Sequence, residues 1–166
     1  MASTVETGTD SVALVAVYRR ILTWLGIGTA LGACVELAML RHWHDAGQLV
    51  PWAVLAVLLA AAAAWLVRRS VATARIMQGT AIVAVLGSAF GVYEHIGANL
   101  AAGPLSGRYS AVWDSMSAVS QLWAAATGSV GASPVLAPGM VGLAGVLLWL
   151  AAFRWVPVRQ VPQESH

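Results

Sequence analysis

ILTWLGIGTALGACVELAML, residues 21–40, carries no charged side chain except Glu36. About 20 such residues are what a helix needs to cross the roughly 30 Å hydrocarbon core of a bilayer. The stretch is therefore read as a membrane span, and the rest of the chain is read outward from it. Downstream, Arg41-His42-Trp43-His44-Asp45-Ala46-Gly47 is a tight polar turn. A second apolar run follows over residues 48–67, with Pro51 near its first turn, where a missing N–H costs little. Arg68 and Arg69 close it, Arg75 follows a short link, and a third run covers residues 76–95. A fourth, residues 138–156, opens at Pro138-Gly139 and leaves through Arg154 and Arg159.

Upstream of the first span, residues 1–10 are polar, and the short apolar stretch 11–18 ends at Arg19-Arg20. Residues 1–20 are expected to form a cytoplasmic or interfacial segment, retained as part of an anchor because no A-x-A-like exit follows. Residues 21–156 are the transmembrane domain and residues 157–166 a cytoplasmic tail. The long outer loop, residues 96–137, begins with Gly97, Gly103, Pro104 and Gly107. Within it, Val112, Met116, Val119 and Trp123 recur at helical spacing, which predicts an amphipathic surface helix over residues 109–127.

Composition agrees. The chain has 166 residues, of which 59% are hydrophobic and only 10% charged, and its mean hydropathy is +0.75. An ordinary soluble domain is about 25% charged, and a chain this short has no core able to hide so much apolar surface. The fold class expected is all-α: a polytopic four-transmembrane-helix bundle. The nine basic residues are all arginine, and with the heavy use of alanine, valine and glycine this points to a GC-rich bacterial genome. The net charge of +2 belongs to span-flanking arginines, so no nucleic-acid partner is implied. Cys34 stands alone in an apolar run and reads as a small inert hydrophobe.

Arginine placement sets the expected topology. Arg19, Arg20, Arg68, Arg69, Arg75, Arg154 and Arg159 fall on one side of a four-span chain, and only Arg41 and Arg108 on the other. The positive-inside rule makes the first side cytoplasmic, giving an N-in, C-in protein of the bacterial inner membrane. Trp24, Trp43, Trp52, Trp65 and Trp155 near the span ends form the matching aromatic belt.

Glu36, His42, His44, Asp45, Glu94, His95, Asn99 and Asp114 then collect at the outer end. Glu36 continues the four-residue row begun by Gly28 and Gly32, and His95 continues the row of Gly87 and Gly91. Small residues in such rows mark faces where membrane helices approach closely, so both polar residues are expected to face neighbouring helices. A glutamate near hydrocarbon is costly and calls for a partner or a function. Two readings stand: a structural Glu36–His95 pair fastening span one to span three, or a ligand site in which Glu36, His42, His44 and His95 hold a transition metal, or a histidine ligates haem. Asp114 is read as solvated.

Glu94-His95 lacks the second histidine of H-E-x-x-H, and no P-loop, G-x-S-x-G, CxxC or haem-attachment motif is present, so no catalytic residue is assigned. Glu36-Leu37-Ala38-Met39-Leu40-Arg41-His42, followed by Asp45, Gln48 and Pro51, resembles the first hairpin of a family of small four-span bacterial integral membrane proteins. The resemblance continues at Gly91-Val92-Tyr93-Glu94-His95 with Asn99, and at Ala137-Pro138-Gly139-Met140. Where that family has an acidic stretch after the asparagine, this chain has Leu100-Ala101-Ala102-Gly103-Pro104. The resemblance implies architecture and singles out Glu36, His42, Gln48, His95 and Asn99; it implies no activity. The functions left in play are a non-enzymatic accessory or assembly subunit packing against a membrane-protein partner or its own copies, a metal- or haem-binding protein with an outer-face site, and a small oligomeric transporter or channel.

Overall fold

The computed structural model describes residues 3–155, and among them every regular element is helical. In chain order these are α1 (Ser3–Met39), α2 (Ala46–Val67), α3 (Val71–Ala102), α4 (Ala118–Ala126) and α5 (Ala137–Ala152), with single 3-10 turns at Gly103–Leu105 and Trp113–Ser115. Three helices, α1 from Ser11 onward, α2 and α3, are long and apolar enough to cross a membrane; α5 is a shorter apolar helix. The expected tail, residues 157–166 with Arg159, lies outside the described residues.

Local chemistry explains the element ends. Asp45 N-caps α2 by accepting the Gln48 N–H at 2.9 Å, and the Gln48 side chain accepts the His44 N–H in return. Ser70 and Thr73 form a full capping box at the start of α3. At the far end of α1, Arg41 takes the left-handed conformation at φ 50°. The His42 N–H then reaches the Leu37 carbonyl and the Arg41 N–H the Ala38 carbonyl. That is a Schellman cap, with arginine where glycine is usual.

Several boundaries differ from the sequence reading. α1 runs unbroken through Arg19-Arg20, so residues 3–20 continue the first span's helix instead of forming a separate piece. Its 37 residues make a rod of about 55 Å, well beyond a 30 Å core. α3 continues through Gly97 to Ala102, because Ile96 and Leu100 pack with Trp113, Ala124, Ala125 and Val130 in a small second core. The expected helix over residues 109–127 forms only as α4. Met116 is extended, and the Ser117 hydroxyl caps a fresh start by accepting the Ser120 N–H. Pro51 is the sixth residue of α2, past the free N–H groups of the first turn, so the Gly47 carbonyl loses its helical donor.

The main core packs many alanines around a few large side chains, Leu55, Leu58, Trp65, Met77 and Leu148, all fully buried. Ala30, Ala33, Ala61, Ala62, Ala81, Ala84, Ala144 and Ala151 are buried, while Leu31, Val35, Val57, Ile82, Val83, Leu86, Leu143 and Leu150 point outward. A water-soluble bundle sorts these the other way; close small-residue packing with large apolar residues outside is the arrangement of helices solvated by lipid. α5 lies against α1 and α3, and α2 against α3. Gly26 of α1 meets Leu148, Gly145 of α5 meets the Ala81 carbonyl at 2.8 Å from the Cβ position, and Ser88 donates to the Pro138 carbonyl at 2.8 Å.

α5 is antiparallel to both neighbours. It runs from Pro138 beside Gly91 to Ala152, whose carbonyl accepts from Gln78 at 2.9 Å. Arg19 donates to the Ala151 and Phe153 carbonyls at 2.7 and 2.8 Å. The last carbonyls of α5, which its own helix cannot satisfy, are thus held by side chains of α1 and α3. The same end carries Trp65 edge-on to Trp155, with Arg69 over the Trp65 ring. The opposite end holds the α1–α2 turn and the folded loop.

Candidate functional site

A cavity of about 680 Å³ opens at that opposite end. Its origin is topological: α1 packs mainly on α5 and α2 mainly on α3, so α1 and α2 touch little and leave a cleft between them. The last turns of α1 contribute Ala33, Glu36 and Leu37, and the turn contributes Leu40, His42 and Asp45. Gln48, Pro51 and Val54 come from α2, and Gly87, Ser88, Phe90, Gly91, Glu94 and His95 from α3. Ser133, Pro134, Pro138 and Val141 close it from the loop and the start of α5.

The fold therefore brings Glu36, His42, Asp45, Gln48, Glu94 and His95 to one cavity, though they span residues far apart in sequence. Two candidates fall outside it. His44 is exposed and gives its backbone N–H to Gln48. Asn99 is fully buried and acts on the loop: it donates to the Ala125 and Ser133 carbonyls at 3.1 and 3.0 Å and accepts the Ser133 N–H at 3.0 Å. Gly131, at φ +73°, lies against the Asn99 side chain where a Cβ would collide with it. Asn99 thereby places Ser133 and Pro134, which form the cavity wall.

Asp45 and Gln48 have capping duties, while among the described residues the Glu36 and Glu94 side chains make no hydrogen bond or ion pair. The direct Glu36–His95 pair is not formed. His95 is half-buried, its Nδ1 has no hydrogen-bond partner, and its ring approaches the Pro134 backbone within electrostatic reach of His42. Glu36, His42, His44 and His95 do not converge as a metal-holding set: among the described residues, no three histidine, cysteine or carboxylate groups are placed to hold an ion. The Trp52 indole anchors the turn by donating to the His42 carbonyl at 2.7 Å, with Trp43 beside it at 6.3 Å between rings.

The glycine rows divide. Gly87 faces Val54 of α2 and Gly91 faces Pro138 of α5, with the Cβ positions 3.9 and 2.9 Å away. Gly32 only grazes Met140 at 4.0 Å, and Gly28 has nothing within 4 Å. The cause is helical drift. Each four-residue step turns the row by about 40°, so a row that starts on the outer surface at Gly28 reaches the cavity at Glu36. The face of α1 that packs within the chain is Arg19, Thr23, Gly26, Ala30 and Ala33, at alternating four- and three-residue steps. That spacing is present in the sequence, in a row distinct from the GxxxG one. Gly142 and Gly145, three apart on α5, were likewise missed; a Cβ at Gly142 would lie 2.6 Å from the Ser88 hydroxyl.

Compared with protein-family models, with curated proteins and with solved structures, the chain matches none.

Proposed function

We propose that the chain is a four-span integral protein of the bacterial inner membrane, N-in and C-in, and that it is a non-enzymatic binding component whose outer-end cavity holds a small amphiphilic molecule. One observation carries this reading: the cavity gathers six chemically able side chains against an otherwise apolar wall. Ligand sites are concave, mostly apolar, of about 300–1,000 Å³, with a few convergent polar groups. The fourth span is α5. Its 16 residues measure about 24 Å, and its antiparallel seat between α1 and α3, with Arg19 at its exit, supports a crossing in a locally thinned bilayer. The motif resemblance to small four-span bacterial membrane proteins points the same way.

The test is native mass spectrometry of protein extracted in mild detergent. The wild type is expected to carry a bound small molecule, and Val54→Trp, which fills the cavity, to lose it. Equal masses for the two after allowance for the substitution would overturn the reading.

Gly28 favours a second role, as accessory subunit or homo-oligomer. It is exposed beside Leu25, Leu31 and Val35, and nothing among the described residues lies within 4 Å of its Cβ position. A bulky residue there should abolish co-purification with a partner or with a second copy while leaving the monomer folded. Unchanged co-purification would remove this role.

A further inference from the structure

We infer that the cavity selects a lipophilic organic cation. This rests on the reading of the cavity as a binding site and goes beyond it by fixing the charge of the ligand. Glu36, half-buried, and Glu94, exposed, both line the cavity; among the described residues neither side chain makes a hydrogen bond or an ion pair, and no arginine lines the cavity. The chain has no lysine that could do so. A carboxylate at the edge of hydrocarbon is unfavourable unless something neutralises it. Since no described side chain pairs with the half-buried Glu36, the occupant supplies its counter-charge.

Other groups on the wall agree. Asp45 adds a third acidic side chain, with one oxygen already committed to the Gln48 N–H. The Gly47 carbonyl, deprived of its helical donor by Pro51, adds an acceptor, and both residues line the cavity. Phe90 also lines the cavity, and aromatic rings attract organic cations. The remaining wall, with Leu37, Val54 and Val141, asks for an apolar body and not a bare ion. A metal ion is disfavoured by the lack of three converging ligands. The positive N-terminal end of α5 also borders the cavity at Pro138, which places the cationic centre on the Glu36–Glu94 side and the apolar body toward α5.

The experiment uses two probes of similar shape on the full chain in lipid nanodiscs: radiolabelled tetraphenylphosphonium, a cation, and triphenylphosphine oxide, which is neutral. The wild type is expected to bind the cation more tightly than the neutral compound. Glu36→Gln should weaken cation binding about tenfold or more and leave the neutral compound unchanged, with Glu94→Gln acting in the same sense. An unchanged elution volume and melting point would show that both variants are folded. If both probes bind equally and neither substitution matters, the charge inference fails while the cavity reading stands. If neither probe binds the wild type, and Val54→Trp changes nothing, both fail.

Discussion

Asn99 and Gly131 show how one residue can govern the site without touching its contents. Three hydrogen bonds from a single buried amide hold the loop that supplies Ser133 and Pro134 to the cavity. Asn99→Ala leaves the Ser133 carbonyl and N–H unpaired and takes one donor from the Ala125 carbonyl, which should cost about 2–4 kcal/mol, read as a lowered melting point in detergent together with faster proteolysis of residues 103–136. An unchanged melting point would contradict the structural role. Asn99 was legible in the sequence as a motif position, but its duty was not, because its partners lie 26 and 34 residues away in a segment whose turns have no periodicity to read. The glycines give a paired prediction. Gly26→Val forces a side chain to within 2.7 Å of Leu148 and should destabilise the bundle, whereas Gly28→Val meets nothing within 4 Å and should leave the monomer's melting point alone. Overpacking of this kind typically costs about 1–3 kcal/mol. Equal effects at the two positions would refute the packing face assigned to α1.

Among the elements, α5 depends most on its neighbours, since side chains of α1 and α3 hold its last carbonyls. Arg19→Gln removes a charged donor from two of them and should lower stability by about 1–3 kcal/mol, while Arg20→Gln, one residue round the helix on an exposed position, should change little. Thermal denaturation of the two variants side by side checks this, and an equal loss would make the arginine pair a mere charge collar. The sequence made the pair visible as topology signals and hid the division of labour, which follows from Arg19 lying four residues before Thr23 on the buried face. Two of the boundaries that differ from the sequence reading have equally local causes. Gly97 carries only about a 1 kcal/mol helix penalty, which the packing of Ile96 and Leu100 outweighs. At Ser117, a hydroxyl cap competes successfully with continuation of an apparently helical pattern.

At the scale of the whole molecule, the inversion of small and large side chains defines the solvent. Alanines crowd the helix contacts around a few large buried residues such as Leu55, Leu58 and Leu148, while many leucines, valines and isoleucines cover the outside, so hydropathy alone located α1, α2 and α3. The cavity was not legible in this way. It arises from which helices pair, and pairing depends on glycine and alanine contacts that composition does not rank. What the sequence did show was that Glu36, His42, Asp45, Glu94 and His95 share one end of the bundle; the fold adds that they share one space with Gln48. The account as a whole requires four crossings, with the arginine end inside and the cavity end outside. Single cysteines placed by Ser70→Cys, Ser106→Cys and Arg154→Cys in a Cys34→Ser background, labelled on intact cells with a membrane-impermeant maleimide, test this directly. Ser106→Cys should react from outside, and Ser70→Cys and Arg154→Cys only after the membrane is opened. Labelling of Arg154→Cys from the same side as Ser106→Cys would mean that α5 does not cross, and labelling of Ser70→Cys from outside would reverse the orientation; either result would contradict the account.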